Sequence, residues 1–326
     1  MKLHKSILFF SLLYLFQSSI VNAQWSNGTA GISYRQFDLS GPIKVFVSRL
    51  DRSDITCIIE SSIASGSFYN SPRETVSQMA NRYDQSINFW GDVTANNKYW
   101  GNRSRVIASI NGDYWETGPG GYTGFPSSGQ IHSGWQSRRY GEISGFTGFV
   151  WKMDRSCFLG GNIRNGGGSV PQIIQFTGSS ANINYLNISV GRDTIPNALI
   201  LYTPQYAPHS YTDNDRVEVL VQMNRPALIF PQGSSFSYGT VKQILHSGST
   251  YIPFDCVVLS GHGTSSTTLS NKCSVGQEIG IQMTVKDYGR PYSIPLPNDK
   301  DWGKSYAGIG GHFYCVVSSQ VPYADW

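Results

Sequence analysis

Short apolar runs, separated from one another by glycine-rich or polar turns, limit this chain to a strand-rich fold. The 35 glycines mark frequent turns. Apolar runs of four to eight residues between such turns are typical of strands. The runs that predict strands are Ile43–Val47, Ile55–Ile59, Val106–Ile110, Ala198–Tyr202, Val217–Val221, Cys256–Leu259 and Ile279–Val285.

One segment instead predicts a helix. Ser71 and Glu74 have the spacing of a capping box, Pro72 suits a first turn, and apolar residues from Val76 to Tyr83 recur at helical spacing. A mixed or antiparallel sheet with a few such helices is an α+β fold. No linker or block of like charges divides residues 24–326, so these residues are predicted to form one continuous domain.

The first residues predict export. Lys2 and Lys5 precede an apolar run, and small residues before Gln24 fit a cleavage site, so residues 1–23 are predicted to be a secretory signal peptide. That segment carries two lysines and no acidic residue, so without it the formal charge of +4 falls by two. A nearly neutral chain without clustered Lys and Arg argues against a nucleic-acid partner. No later segment predicts a membrane span.

An oxidising compartment favours disulfides among the five cysteines, Cys57, Cys157, Cys256, Cys273 and Cys315. Cys256 and Cys273 bracket a turn-rich stretch and are the preferred pair; the odd count leaves one thiol over. Sequons at Asn27, Asn102 and Asn187 fit a secreted glycoprotein in a eukaryotic host.

The segment from Val106 to Gly134 is the strongest candidate for a site. Val106–Ile110 has the pattern of a buried strand, and Gly112 allows a turn after it, from which Asn111 and Asp113 project together. An amide beside a carboxylate can orient sugar hydroxyls or transfer protons. The alternative is an ordinary Asn-Gly hairpin turn in which Asp113 caps the bend.

The sequence lacks the motifs of several other common enzyme and metal-binding sites. The acidic turn at Asp213 has Glu218 where a calcium loop needs glycine, so a solvated turn is the better interpretation. The histidines have no zinc-ligand spacing, and neither a phosphate-binding loop nor a serine-nucleophile elbow is present. The sequence therefore predicts no metal ion and no cofactor. His262, between two glycines at a strand end, is either a loop donor or part of a cleft.

Six motifs in order resemble the phosphodiester glycosidase family, which includes the enzyme that removes N-acetylglucosamine from a phosphodiester to expose mannose 6-phosphate. Each motif is weak alone, and their shared order makes the resemblance specific. The motifs are Glu74–Ala80, Ile110–Trp115, Gly129–Ile131, Leu201–Pro204 with Thr212 and Asn214, Val258–Gly263 and Ile309–Gly311.

The resemblance implies hydrolysis of a sugar 1-phosphodiester at the anomeric carbon. A phosphate monoester is a good leaving group, so one carboxylate can suffice to stabilise or attack the oxocarbenium-like centre or to activate water. Asp113 is the expected carboxylate, with Asn111 orienting a sugar hydroxyl. Backbone amides at Gly310 and Gly311 would approach the phosphate, to which His132 or His262 would donate.

Relatives of this kind continue into an Arg-Thr-Ala-Ile-Gly and an Asp-Gly-Gly-Gly-Ser segment, neither of which this sequence has. The glycosidase-like domain is therefore expected to be incomplete at its C-terminus, and an inactive truncated homologue is one alternative. Another is a secreted carbohydrate-binding protein without turnover, because eight tryptophans and nineteen tyrosines supply flat faces for sugars. A third alternative is a role in exopolysaccharide or cell-wall sugar metabolism, which would differ from the expected activity mainly in the host organism.

Overall fold

The computed structural model describes residues 24–39, 41–69, 73–92, 105–112, 114–116, 124–140, 147–160, 163–164, 172–188, 195–224, 236–287 and 305–311. It divides the chain into two compact units, residues 1–58 and 59–326, where the sequence predicts one continuous domain. In the first unit, β1 (Ser26–Asn27), β2 (Ile32–Asp38) and β3 (Lys44–Leu50) form an antiparallel sheet in that order.

The second unit contains the other strands and two helices, α1 (Val76–Asp92) and α2 (Thr264–Lys272). A 3-10 turn spans Ala64–Gly66. The strands are β4 (Gln130–His132), β5 (Trp135–Arg138), β6 (Thr147–Lys152), β7 (Cys157–Gly160), β8 (Ile163–Arg164), β9 (Gln172–Phe176), β10 (Ser179–Asn182), β11 (Tyr185–Leu186), β12 (Leu199–Tyr202), β13 (Arg216–Met223), β14 (Ser237–Leu245), β15 (Cys256–His262), β16 (Glu278–Met283), β17 (Lys286–Asp287) and β18 (Ser305–Gly311).

These strands form one large sheet and two smaller ones. The eight-stranded sheet has the order β10-β9-β16-β14-β13-β15-β12-β11, and it is antiparallel except for the parallel pair of β11 and β12. The five-stranded sheet, β5-β4-β18-β6-β7, is antiparallel, and β17 pairs with β8. Strands with two helices confirm the predicted α+β class.

The eight-stranded sheet is buried on both faces at β12, β13 and β15. Val257 and Leu259 of β15 join one apolar cluster, which also contains Leu269 of α2, whereas Val258 joins a second cluster with Ile200 of β12. Alternate residues of a strand face opposite sides, so burial on both sides requires a continuous apolar sequence. This explains why runs such as Cys256–Leu259 predicted their strands correctly.

Two predicted strands are wrong. Residues 55–59 and 106–110 form no strand, and Ile55 and Ile110 are each 82% exposed. Apolar composition alone does not make a strand, because a strand also needs a neighbour to accept its backbone hydrogen bonds.

Helix α1 confirms the predicted helix but begins later than its predicted cap. Thr75 and Gln78 form the capping box: the Gln78 amide donates to Thr75 Oγ1 (3.3 Å), and the Thr75 amide donates to Gln78 Oε1 (2.8 Å). Ser71 lies outside the described residues. Glu74 instead accepts from the Ser65 amide and forms an ion pair with Arg82 at 2.9 Å. These contacts, led by the Arg82 hydrogen bond, lower the pKa of Glu74.

Two of the covalent modifications predicted from the sequence fall on residues that the structure buries. Cys256 and Cys273 are free thiols in the core, so the predicted disulfide between them is not formed. Asn187 is fully buried: its amide nitrogen donates to the carbonyl of Ser137 and to the hydroxyl of Thr203, so this sequon cannot carry a glycan in the folded chain. Asn27 is exposed, and Asn102 lies outside the described residues.

Glu218, whose position argued against a calcium loop, is a buried residue of β13. Its carboxylate accepts from the hydroxyls of Ser210 (2.8 Å) and Thr212 (2.7 Å) and from the amide of Thr250 (2.9 Å). Asp213 of the acidic turn lies 3.3 Å from Arg216 Nε. The carboxylate of Glu218 therefore joins two loops, at residues 210–212 and 250, to the sheet.

Candidate functional site

The Asn-Gly segment lies in an exposed loop. Both Asn111 and Gly112 are exposed, and Gly112 does not have the positive φ that a turn would require of it. A Cβ on Gly112 would lie 3.7 Å from Ile309 Cγ2, an ordinary contact. The predicted glycine hinge after a buried strand is therefore wrong, and the segment instead lies against β18. Asp113 lies outside the described residues.

The residues after Asp113 connect this loop to the five-stranded sheet. The Ser127 amide donates to the carbonyl of Tyr114 (2.8 Å), and the Glu116 amide donates to the carbonyl of Phe125 (2.8 Å). Trp115 and Pro126 form an isolated antiparallel bridge. The chain then continues directly into β4, so the Asn111 loop and β4 are neighbours.

The ladder of β4 and β18 determines which side chains share a face. Ile309 pairs with Gln130, so both point to the same side of the sheet, and His132 points there as well because it is two residues farther along β4. A Cβ on Gly112 would meet the side chain of Ile309 on that side. His132 and the Asn111 loop therefore share one face, with Gln130 and His132 about 7 Å apart along the strand.

His132 is held by its Nδ1 atom. Nδ1 lies 2.6 Å from the carbonyl oxygen of Ser61 and 3.3 Å from Glu60 Oε1. A carbonyl oxygen can only accept a hydrogen bond, so Nδ1 carries the proton. The side chain is 21% exposed, and among the described residues Nε2 has no hydrogen-bond partner and is not enclosed. The free nitrogen of His132 thus faces solvent.

Glu60 is fixed more tightly than the histidine. Its carboxylate accepts from the amide of Ser61 (2.9 Å), from the amide of Ser133 (3.0 Å) and from the Ser133 hydroxyl (2.9 Å), and its side chain is 9% exposed. Burial raises the pKa of Tyr83 on α1, and the nearby negative charge of Glu60 raises it further. The sequence prediction missed Glu60; an acidic residue directly after Ile58 and Ile59 was the available signal.

Two glutamines complete the surroundings of His132. Gln130 donates to the carbonyl of Ser62 (2.9 Å), and Gln205 donates to the carbonyl of His132 (3.3 Å). These contacts fix the direction of both amides, because the nitrogen must face a carbonyl. Each amide oxygen is buried, and neither accepts a hydrogen bond from the part of the chain that the structure describes. A donor group reaching either oxygen would therefore be bound favourably.

The Ile-Gly-Gly motif has a structural role that differs from the predicted one. Gly310 lies on the opposite face from His132, and its amide donates to the carbonyl of Gly129 at 2.6 Å. A side chain at this position would collide with Ser128. The amide of Gly310 is therefore not available to a phosphate, and the predicted contact is wrong for this residue. Gly311 pairs with Thr147 at the end of β18.

His262 lies elsewhere, on the eight-stranded sheet. It ends β15 opposite Arg216, and its amide donates to the carbonyl of Ala198, just before β12. Gln205, which contacts His132, follows the other end of β12, and four strand residues span about 13 Å. His262 and His132 therefore lie on different sheets and are associated with opposite ends of β12. The Nδ1 atom of His262 is buried without a partner in the described residues.

No group of three His, Cys, Asp or Glu side chains that could hold a metal ion occurs among the residues that the structure describes. The same residues include no helix long and apolar enough to cross a membrane. The polar groups that come together are Glu60, Gln130, His132, Ser133 and Gln205, beside the loop of Asn111 and Gly112. They can exchange a proton and bind hydroxyl groups.

Comparisons with known proteins identify no family for this chain. No protein-family model matches the chain, and no curated protein matches it. Among solved structures, it is similar to the crystal structure of a "Putative exported protein" from Burkholderia pseudomallei K96243, with 12% sequence identity and a TM-score of 0.49. The match covers 86% of this chain and 49% of that chain, so this chain spans about half the length of that protein.

Proposed function

We propose that this chain is a secreted phosphodiester glycosidase that hydrolyses a sugar 1-phosphodiester, with N-acetylglucosamine as the sugar class. The observation that carries the proposal is the meeting of three motif segments. Gln130, in motif Gly129–Ile131, pairs with Ile309 of motif Ile309–Gly311. A Cβ on Gly112, in motif Ile110–Trp115, would lie 3.7 Å from Ile309 Cγ2. Residues about 20 and 200 positions apart thereby border one partly exposed face, where a binding site can form.

The chemistry follows from the leaving group. Cleavage of the bond between the anomeric carbon and the phosphate releases a phosphate monoester, which needs little protonation. A carboxylate then has to stabilise the positive charge that develops on the sugar. We assign this role to Asp113, between the described residues Gly112 and Tyr114, and we assign to Asn111 the orientation of a sugar hydroxyl. The signal peptide predicted at residues 1–23 supports a secreted protein.

Release of N-acetylglucosamine tests the proposal. The chain from Gln24 onward should release it from a panel of N-acetylglucosamine 1-phosphodiesters. Asp113→Asn should lower kcat by about a hundredfold or more. Glu116→Gln, which changes the carboxylate three residues farther on, is the matched control and should retain activity. No release from any phosphodiester would refute the function; full activity of Asp113→Asn would refute only the role of that residue.

A surface of aromatic rings favours a second candidate, carbohydrate binding without turnover. The rings of Tyr69 and Tyr211 stack at 4.2 Å, and His209 lies between Tyr211 (5.6 Å) and Tyr251 (5.4 Å). Tyr251 is 59% exposed. Aromatic rings with polar edges suit the apolar faces of sugars. Binding of a saccharide that is abolished by Tyr251→Ala, without any hydrolysis, would favour this candidate.

A further inference from the structure

Glu60 and His132 form a carboxylate–imidazole pair to which nothing in the preceding proposal gives a catalytic role. The contact between Nδ1 and the Ser61 carbonyl fixes the ring, and it fixes the tautomer as well. When the ring is neutral, the proton is on Nδ1, so the lone pair is on Nε2. Nε2 is the nitrogen that faces solvent. The imidazole is therefore oriented to accept a proton from outside the protein.

The carboxylate is placed to stabilise the product of that transfer. Proton uptake at Nε2 creates an imidazolium ion, and Glu60 Oε1 lies 3.3 Å from Nδ1 of the same ring. Three donors from Ser61 and Ser133 hold the carboxylate in this position. A carboxylate fixed behind an imidazole orients a histidine base and stabilises its charged form in hydrolases of unrelated folds.

The position of the pair fits a base that acts on water. His132 points to the face of the five-stranded sheet on which the Gly112 loop lies. It is two residues along β4 from Gln130, which pairs with Ile309. Asn111, beside Gly112, is the residue assigned above to orient the sugar. A histidine near the sugar, with its free nitrogen in solvent, can reach a water molecule that attacks the anomeric carbon.

We propose that His132 is the general base of the hydrolysis and that Glu60 is its positioning residue; this inference rests on the proposed function. In the step, an O–H bond of water breaks and its proton moves to Nε2 of His132. The water oxygen bonds to the anomeric carbon, whose bond to the phosphate oxygen breaks with the electron pair leaving on the phosphate monoester. The imidazolium then returns its proton to solvent.

Three substitutions distinguish a catalytic role of His132 from a purely structural one. His132→Asn keeps a donor near the position of Nδ1, so the contact with Ser61 can persist while the base is lost. Glu60→Gln keeps an acceptor but removes the charge. His246→Asn is the matched control, because His246 is exposed and directly follows β14 of the eight-stranded sheet. All variants should be compared with the unmodified chain by thermal unfolding before turnover is measured.

The expected result is a loss in kcat rather than in KM. His132→Asn should lower kcat by about a hundredfold and Glu60→Gln by about tenfold, with KM within about threefold of the unmodified value. In a fourth variant, His132→Ala, added imidazole should restore part of the activity, an effect that a purely structural role would not produce. His246→Asn should retain full turnover.

Four results would overturn the inference. Undiminished kcat in His132→Asn, while the unmodified chain is active, would remove His132 as the base and leave the proposed function intact. An increase in KM alone would make His132 a binding residue. The tautomer can be read by nitrogen NMR of the labelled unmodified chain, without any substrate; a neutral ring protonated on Nε2 would contradict the geometry directly. Absence of turnover by the unmodified chain would remove both proposals.

Discussion

The aromatic ring of Tyr140 occupies the space in which a side chain at Gly129 would stand. A Cβ on Gly129 would collide with the ring at Cγ, and one on Gly308 would lie 2.7 Å from the tyrosine oxygen. A Cβ on Gly148 would lie 2.8 Å from the same ring. Two strands of the five-stranded sheet, β6 and β18, and the residue before β4 thus supply glycines around one buried tyrosine. Burial raises the pKa of Tyr140, because the phenolate would lose its hydration.

Gly129→Ala should therefore destabilise the second unit by about 1–3 kcal/mol, the usual cost of overpacking a core. The measurement is the midpoint of urea unfolding. Gly112→Ala is the matched control, because among the described residues a Cβ there meets Ile309 alone, at 3.7 Å, and should leave the midpoint nearly unchanged. Equal midpoints for the two variants would contradict the packing around Tyr140.

The capping box of α1 predicts a second stability effect. Thr75→Ala removes the hydroxyl that accepts from the Gln78 amide, and it should cost about 1 kcal/mol. Asn81→Ala, on an exposed position within the same helix, should cost nothing because alanine has the higher helix propensity. The two variants are compared by thermal unfolding. A helix capped at Ser71 instead would make Thr75→Ala neutral.

The helix illustrates what local pattern can and cannot predict. The apolar spacing from Val76 to Tyr83 predicted α1 correctly, because a helical face repeats within a few residues. Its first residue was wrong, because Ser71 with Glu74 and Thr75 with Gln78 have the same capping spacing. Tertiary contacts decided between them: Arg82 and the amide of Ser65 bind Glu74 before the helix begins.

The candidate site was harder to predict because it is built from distant segments. The sequence predicted His132, but its partner Glu60 is 72 residues away, and no local spacing connects them. Gly310 was predicted as a phosphate contact because glycine permits close approach; the structure uses that space for Ser128 instead. Conversely, Val106–Ile110 had the composition of a buried strand without a strand partner. The sequence indicates which residue types can serve a site, but it does not indicate which residues meet in the folded chain.

The buried carboxylate of Glu218 predicts a third stability effect. Glu218→Gln replaces an acceptor-only group with an amide, so at least one of its donors, Ser210, Thr212 or Thr250, loses its partner. The expected loss is about 1–3 kcal/mol in the free energy of unfolding. Glu278→Gln, at an exposed residue that accepts from Asn224, should change stability by less than about 0.5 kcal/mol. Similar losses in both variants would contradict the role of Glu218.

The two described sequons should differ in glycosylation. When the chain is secreted from a eukaryotic cell, peptide mapping should find a glycan on exposed Asn27 and none on Asn187, whose amide is buried in hydrogen bonds with Ser137 and Thr203. The two sites serve as controls for each other within one sample. A glycan on Asn187 would mean that the buried arrangement is absent when the modification takes place.

The core thiols should be unreactive and should make the fold sensitive to alkali. Burial raises the pKa of Cys256 to about 12, with a further contribution from Asp255, and burial raises the pKa of Cys273 to about 11. Since the thiolate is the nucleophile, a maleimide at pH 8 should modify neither residue until the chain unfolds. Rapid modification of Cys256 in the folded chain would contradict its burial.

The same thiols determine the sign of a pH effect on stability. In the unfolded chain they lose protons near pH 9, whereas the folded chain retains them, so the unfolded state binds fewer protons as the pH rises. Their contribution is complete below pH 9 and is lost as the pH rises through about 11 and 12. Measured under reducing conditions at pH 8 and pH 10.5, the Cys256→Ala variant should lose less unfolding free energy between these values than the unmodified chain. Equal losses would show that Cys256 ionises alike in both states.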